Sequence, residues 1–441
     1  MTRRRWRWAL LTPALLALAL AIPLGGPAAA SDIRIHGLVS QGYMRSTDNN
    51  FLADTENGSF EFSEAIINFS TKAGDNLRVG MQLLARDMGA EGNNTVGLDW
   101  AYGDYRLRKN LGIRFGKLKS HIGMYNKGRD VDMLRTPVLL PQSVYDETTR
   151  DFAHSYNGFS IYANPLVPVA GRFNLEAYLG TLPVRDPNSS FWQSNLRLVT
   201  NRLAFLQGAN LTPTITEMTV RYVAGGMLMW HAPVTGLRLG GNLIKGQIEG
   251  TAFLEGTVPL SEALAGSGLE LPPGASSVKG LRSQPFSMDV DIEQLLTASA
   301  EYSWRDLLLA AELLYTHFDV TVDIDLAGVP IQLPTEVKWQ GYYLMGTYRF
   351  SDLLEVGATY GQFYPNRDDK DGRDVVAQGG QAFEAWRENI ALSCRLDLGE
   401  NWLAKLEAHR MDGVGLMSAQ LNPQGFDRNW YLFLAKVSAH F

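Results

Sequence analysis

Hydrophobic and polar residues alternate with a period of two along most of the chain, which is the pattern of β-strands with two different faces. In residues 386–398 the even positions are mainly apolar, whereas the odd positions include Arg395 and Asp397. The closing segment, residues 430–441, has an apolar odd face that ends on an aromatic residue. Counting such segments from Ile33 onward gives about 16 strands. The pattern predicts an all-β protein.

The connections between these strands alternate in length. Tight turns are predicted near residues 73–76, 109–110, 234–236, 305–306, 351–352 and 399–401. Long polar or glycine- and proline-rich loops are predicted near residues 47–58, 125–154, 185–214, 254–285, 365–383 and 411–426. This layout is typical of an up-and-down antiparallel transmembrane β-barrel, with short periplasmic turns and long external loops.

A soluble β-sandwich is the alternative that the alternation alone leaves open. Arginines and carboxylates share one face on most strands, so a sandwich would bury many charges in a dry core, at a cost of several kcal/mol for each charge. In a closed barrel the apolar face contacts lipid, the charged face contacts water, and no strand edge is unpaired. About 16 strands leave room for a water-filled lumen. We therefore expect the barrel.

The first thirty residues have the organisation of a secretory signal peptide. Four arginines precede an apolar stretch at residues 9–22, and alanines at 28–30 provide a cleavage site. The apolar stretch is short for a membrane span, which disfavours a permanent N-terminal anchor. We predict a signal peptide at residues 1–30 and an outer-membrane β-barrel at residues 31–441.

Composition and motifs disfavour several other functions. The formal net charge is −6, so the chain has no global basic field with which to hold nucleic acid. Cys394 is the one cysteine, which excludes an internal disulfide and a Cys-rich metal site. The seven histidines lack metal-ligand spacing, and no hydrolase or phosphate-binding motif is present. We expect no enzyme activity, no cofactor and no metal; a Ser-His-acid site assembled across strands stays open as an alternative.

Several segments resemble porin-like outer-membrane proteins of Gram-negative bacteria. The last strand, residues 430–441, looks like their C-terminal assembly signal, and residues 35–43 resemble their first strand. Residues 98–117 and 140–145 are similar to one branch of these porins. The motif-level similarity covers mainly residues 33–165. The resemblance implies an outer-membrane location, insertion by the barrel-assembly machinery, contact with lipid and lipopolysaccharide, and a homotrimer.

In trimeric porins the third external loop folds into the lumen and forms the constriction. The resemblance therefore assigns this role to residues 125–154. It places these seven residues in or near the pore: Asp130, Asp132, Arg135, Asp146, Glu147, Arg150 and Asp151. The Pro-Glu-Phe-Gly-Gly signature of many general porins is missing from this chain. That difference leaves the path of the loop open.

A basic wall is the second part of the predicted site. Reading inward positions from the alternation places these cations on three neighbouring strands: Arg78, Arg86, Arg106, Arg108 and Arg114. Lys117 follows where the alternation slips, and it is included in the wall. We hypothesise that this wall faces the loop acids Asp130, Asp132, Asp146 and Glu147 across a narrow aqueous neck, where opposed charges would orient polar solutes. The alternative is a set of solvated or mutually paired charges without a special task. Because acids and bases are mixed on the other strands, we expect weak ion selectivity.

Together these observations predict a passive diffusion channel for small hydrophilic solutes or ions. A barrel that acts mainly as a surface-exposed binding or adhesion protein is the first alternative, because the external loops are long. An outer-membrane hydrolase is the second alternative.

Overall fold

The computed structural model describes residues 33–184, 188–189, 192, 194–195, 210–257, 285–326 and 329–441. The predicted signal peptide lies outside the described residues, as does much of the predicted loops at 185–214 and 254–285. Within the described ranges, no helix combines the length and the apolar character needed to cross a membrane.

The described residues form one antiparallel sheet in which the first strand pairs with the last, so that the sheet closes on itself. Its strands are β1 Arg34–Ser46, β2 Ser63–Lys72, β3 Leu77–Asp87, β4 Gly97–Arg108, β5 Leu111–Lys119, β6 Ser155–Ala163, β7 Leu166–Val167, β8 Gly171–Thr181, β9 Asn210–His231, β10 Leu237–Thr257, β11 Pro285–Trp304, β12 Leu307–Leu326, β13 Val329–Val337, β14 Gln340–Arg349, β15 Leu354–Tyr364, β16 Arg387–Asp397, β17 Trp402–Gly413 and β18 Asn429–His440.

Sixteen of these strands form the barrel wall. The strand β7 has two residues and lies in the turn before β8, and β13 folds back on the outer half of β12. The remaining strands follow one another around the wall, each antiparallel to its neighbours. The predicted all-β class, the up-and-down order and the number of about 16 strands are confirmed.

The two faces of the wall differ as the alternation predicted. On β17, Lys405, Glu407 and His409 are buried inside the barrel, whereas Leu406 between them is 56 % exposed on the outside. Aromatic side chains are exposed at the turn ends of the strands, as at Trp304. Lipid solvates the apolar face, and the polar face is free to contact the interior.

Strands β9 to β12 are 22, 21, 20 and 20 residues long, and a membrane span needs about 9–11 residues. Both β9 and β10 extend into the predicted loops. Near the middle of β11, the pairing with β12 shifts register between Ile292 and Gln294. On the turn side of this bulge, Thr297 and Glu301 are buried inside; on the other side, Val290 is buried and Asp291 is exposed. Odd-numbered residues thus face inward on the turn side of the bulge, and even-numbered residues face inward on the other side. The bulge makes this change where the surrounding solvent changes from lipid to water.

Depth in the membrane can be tested on strand β16. Leu392 lies at the middle of the strand and is 64 % exposed on the lipid side, whereas Leu398 follows the strand at the periplasmic turn. We expect Leu392→Arg to lower the free energy of unfolding by about 2–4 kcal/mol and Leu398→Arg by about 0–1 kcal/mol. Urea unfolding in lipid vesicles measures both values, and equal costs would contradict the assignment of a lipid-facing band.

Candidate functional site

The third external loop, residues 120–154, folds into the barrel. Its two ends are joined by a hydrogen bond from the Ser120 amide to the His154 carbonyl, at 2.8 Å. Its middle contacts opposite walls: the Met124 amide donates to Glu312 on β12 at 2.7 Å, and Asp132 accepts from Ser438 on β18 at 2.6 Å. The predicted in-folding is confirmed, and the loop begins five residues earlier than the predicted residue 125.

Small residues make room for the loop. At Gly123 the backbone is left-handed, with φ +61°, and a Cβ would lie 2.1 Å from the Tyr145 hydroxyl oxygen. On the facing wall, a Cβ at Gly341 of β14 would lie 1.8 Å from the Ser143 carbonyl oxygen. The loop therefore packs against the bare backbone of β14, which a larger residue would prevent.

Ion pairs fasten one side of the loop to β2 and β3. Arg86 of β3 contacts Glu147 at 3.3 Å, and Arg150 contacts Glu64 of β2 at 3.1 Å. Arg150 also pairs with Asp130. The side chains of these five residues are 2–7 % exposed. Their charges are therefore neutralised in direct contacts and not through water.

A second group of ion pairs fastens the loop to the last two strands. Asp132 contacts Lys436 of β18 at 2.8 Å and Lys405 of β17 at 3.7 Å. Lys436 also contacts Glu64 at 2.5 Å, which joins the two groups. Lys405 donates to the carbonyls of Asp132 and Pro137 at 2.8 and 3.1 Å. We call the eight residues of both groups the loop clasp: Glu64, Arg86, Asp130, Asp132, Glu147, Arg150, Lys405 and Lys436.

On the opposite wall the loop is held by neutral donors. Glu312 of β12 accepts hydrogen bonds from the Tyr343 hydroxyl at 2.6 Å, from the Ser299 hydroxyl at 2.5 Å and from the hydroxyl of Tyr145 in the loop. Burial and the neighbouring Glu312 carboxylate raise the pKa of Tyr145 well above its usual value. Tyr145 therefore stays a hydrogen-bond donor, which the carboxylate requires.

The loop acids are ionised despite their burial. Burial opposes ionisation of Glu147, but the charges of Arg129, Arg150 and Arg86 outweigh it and lower its pKa to about 2. For Asp130, burial is likewise outweighed by Arg150, Lys119 and His154, so its pKa lies well below the usual value. The same balance, with Lys436 and Lys405 as the main cations, lowers the pKa of Asp132. These loop carboxyl groups are thus ionised throughout the neutral pH range.

The structure brings together half of the predicted site residues. Arg86, Asp130, Asp132 and Glu147 belong to the loop clasp, and Asp146 contacts Arg387 of β16 at 2.8 Å. These charges contact one another directly, as in the alternative of mutually paired lumen charges. Many polar side chains on the inner face of the described strands are buried as well. Examples are Ser40, Gln82, Ser160, Asn242, Thr297, Glu312, Thr359, Ser393 and Glu407.

The other predicted basic residues lie elsewhere. Arg78, Arg106 and Arg108 are exposed at the periplasmic ends of β3 and β4. Arg78 is eight positions from Arg86, which corresponds to about 27 Å along an antiparallel strand at roughly 3.4 Å per residue. Lys117 pairs with the outward-facing Ala101, and its Nζ donates to the Leu98 carbonyl at an exposed position. The structure places these four residues away from the loop clasp. Alternation did not give the depth of Arg78 and Arg106 along their strands, and Lys117 lies on the outward face.

Arg114 lies between the loop clasp and the arginines at the periplasmic strand ends. Its guanidinium donates to Asp104 at 3.0 Å and to Glu176 of β8 at 2.8 Å, and it stacks over the ring of Tyr162. Glu176 also contacts Lys127 of the third loop at 3.2 Å. Arg114 therefore lines the part of the lumen below the loop.

Sequence reasoning missed three members of the clasp as site residues: Glu64, Lys405 and Lys436. The signal was present in part, since the alternation places Lys405 and Lys436 inside the barrel. Nothing in the sequence indicates that Lys436 meets Glu64, because that contact depends on the closure of the sheet between β1 and β18.

Two groups of side chains have ligand atoms close enough for a metal ion: Asp99, Asp130 and His154, and His317, Asp319 and Glu336. In the first group, Asp130 already contacts Lys119 and Arg150. Those cations supply the positive charge that a metal would bring, so the contacts do not favour a metal there. The second group lies on the outer face of the hairpin β12–β13.

Comparison with known proteins places the fold. No protein-family model matches the chain, and no curated protein matches it. Among solved structures, Salmonella typhi OmpF in complex with daunomycin is similar over 93 % of this chain and 98 % of that chain, with a TM-score of 0.53 at 9 % identity. The anion-selective porin from Comamonas acidovorans covers 93 % and 100 %, with a TM-score of 0.51 at 12 % identity. The chain therefore has the fold of a porin-like outer-membrane β-barrel.

The lowered carboxyl pKa values predict how the loop responds to acid. A carboxyl whose folded pKa is lowered stabilises the fold above its ordinary pKa, and this contribution is lost as the pH falls toward the folded pKa. For Glu147 this interval runs from 4.5 to about 2. We expect amide hydrogen exchange in residues 120–154 to be unchanged between pH 7 and 5, and protection to be lost between pH 4.5 and about 2.

Mass spectrometry of the exchanged protein, with times scaled for the intrinsic rate at each pH, measures this response. Peptides from β17 and β18 serve as the control, because their backbone hydrogen bonds lie within the wall. Loss of loop protection between pH 7 and 5, where histidines titrate, would show that the clasp carboxylates do not govern the loop.

Proposed function

We propose that the chain is an outer-membrane diffusion channel for small hydrophilic solutes or ions. The observation that carries this proposal is the third loop inside the lumen, fastened to polar walls by the loop clasp. Lys127 and Leu134 of the loop are exposed, and we propose that water fills the lumen from the periplasmic side up to the loop. We call this space the periplasmic vestibule. A polar, water-filled space that ends at an in-folded loop is the geometry of a restricted diffusion pore.

The burial of the clasp limits the size of the passage. With the loop in place, Lys405 and Lys436 are 1–2 % exposed, so no wide water column passes them. The lumen is therefore narrow beside these lysines, and we propose that a solute passes when the loop shifts. We therefore expect a low conductance compared with a barrel of the same strand number and an open lumen.

A surface-exposed binding protein is the second candidate, and the length of β9 to β12 favours it. These strands continue beyond the length of a membrane span and carry acids outside the apolar band, such as the exposed Asp291 and the half-buried Asp319. Such a barrel would hold its sheet extension above the membrane and would not conduct. Homotrimer formation, contact with lipopolysaccharide and insertion by the barrel-assembly machinery stay predictions from the resemblance.

We propose no enzymatic activity. Two of the buried histidines, His154 and His409, contact asparagine side chains, Asn126 at 3.3 Å and Asn389 at 3.1 Å. His409 also faces Glu407 at 2.7 Å. At these two positions the imidazole has amide and carboxylate partners, which is not the arrangement that activates a serine nucleophile. An assay of lipid hydrolysis in detergent tests this proposal.

A disulfide can test the need for loop movement. A Cβ at Gly361 of β15 would lie 3.7 Å from the Ser143 Cβ, which is within the range of about 3.5–4.5 Å for a disulfide. In a Cys394→Ser background, we expect Ser143→Cys/Gly361→Cys to conduct when reduced and to lose at least about tenfold in conductance when oxidised, because the loop is then tied to the wall. Single-channel recording in a planar bilayer measures this change.

The single variant Ser143→Cys in the same background is the matched control, and its conductance should not respond to oxidant. An oxidised double variant that conducts like the reduced one would show that the loop stays in place during passage. If no form of the protein conducts, the channel proposal is wrong and the surface-binding candidate is favoured.

A further inference from the structure

Basic side chains are concentrated on one side of the periplasmic vestibule. They lie at the periplasmic ends of β2 to β5 and β8, and we call them the basic arc: Lys72, Arg78, Arg106, Arg114 and Arg172. The strand register gives the direction of the central members. Lys72 pairs with Arg78, Arg78 with Asp104, and Asp104 with Arg114. Directly opposed residues of antiparallel strands lie on one face, and Arg114 contacts the buried, lumen-facing Glu176.

The acids within the arc are already occupied. Asp104 and Glu176 both contact Arg114, at 3.0 and 2.8 Å, and Glu176 also contacts Lys127. By contrast, Arg78 donates to the Ser70 hydroxyl at 3.3 Å, and Arg106 donates to the carbonyl of Asp75 at 3.0 Å. These partners are neutral, so the arc keeps a net positive charge that faces water.

The opposite wall of the vestibule is different. There, Arg238 contacts Glu301 at 2.5 Å, and Arg349 contacts Glu355 at 2.9 Å and Asp397 at 3.2 Å. Each of these two arginines therefore has a carboxylate partner on a nearby strand. The excess of positive charge is therefore one-sided.

Sheet stability does not explain the arc. Lys72 and Arg78 are directly opposed cross-strand residues of like charge, an arrangement that weakens a sheet. An anion bound at Arg78 would offset part of this repulsion. Guanidinium groups are suited to this role, because their planar donors match the oxygens of carboxylate, sulfate and phosphate groups.

We infer that the basic arc is an anion-binding surface that makes the protein select small anionic solutes bearing carboxylate, sulfate or phosphate groups. This inference rests on the proposed channel function for its transport consequence, and it replaces the expected weak selectivity with a preference for anions. A one-sided cationic wall in a water-filled vestibule raises the local concentration of anions and lowers that of cations. The anion meets the arc directly beneath the third loop, where Arg114 and Lys127 share Glu176.

Reversal potentials in a potassium chloride gradient test the inference on the full-length exported protein. We expect the wild type to prefer chloride over potassium by at least about threefold, and Arg78→Gln/Arg106→Gln to lose most of this preference. Arg305→Gln is the matched control, because Arg305 lies at the periplasmic turn over the exposed ring of Trp304 and outside the arc. Its selectivity should equal that of the wild type.

Equilibrium dialysis with labelled inorganic sulfate, at low ionic strength in detergent, tests binding independently of conduction. We expect the dissociation constant to rise at least about tenfold in Arg78→Gln/Arg106→Gln and to be unchanged in Arg305→Gln. Conduction without anion preference, or sulfate binding that the double variant does not weaken, would overturn the inference while leaving the channel proposal intact.

Two other outcomes separate the possible sources of the effect. If no form of the protein conducts, the channel proposal fails, and weaker sulfate binding by the double variant still supports the arc as an anion-binding surface. If the anion preference follows the content of anionic phospholipid in the bilayer and not the Arg78 and Arg106 substitutions, the arc contacts lipid head groups and the inference is wrong.

Discussion

The pairing of β1 with β18 is the constraint on which the interior depends. Glu64 on β2 and Lys436 on β18 are separated by 372 positions, yet they contact each other at 2.5 Å because β1 alone lies between their strands. Asp132 joins the same group from the third loop. Removing one partner of such a buried pair leaves an uncompensated charge, at a cost of about 3–5 kcal/mol. The closed wall and the position of the loop therefore stabilise each other.

The loop divides the charges of the lumen into two kinds. Beside the loop they are dry and bonded in pairs, as between Arg86 and Glu147, and they fix its position. Below the loop the charges are exposed to solvent, and some arginines of the basic arc have neutral hydrogen-bond partners. Arg78, for example, donates to the Ser70 hydroxyl. Dry pairs serve structure, since their fields cancel at short range. Wet, unbalanced charges act on solutes, since their field extends about 8 Å into water at physiological ionic strength.

The sequence was sufficient to predict the wall and insufficient to predict the contacts inside it. Alternation predicts which face Lys405 or Leu406 occupies, because lipid and water solvate opposite faces. Depth and partner do not follow from alternation. Arg78 and Arg86 share a face but lie far apart along β3, so only Arg86 reaches the loop. The contacts of Lys436 and Arg387 join distant parts of the chain, and they require the folded loop itself.

The bulge in β11 has a consequence for variation among related chains. It lies where the sheet leaves the lipid, with Thr297 facing inward below it and Asp291 facing outward above it. Because side chains repeat every two residues, adding or deleting one residue here would turn one half of the strand inside out. Leu296 or Asp291 would then meet the wrong solvent. The bulge therefore fixes the level at which the strand passes from lipid to water. Insertions or deletions in this strand keep both halves in the correct solvent only when they involve two residues at a time.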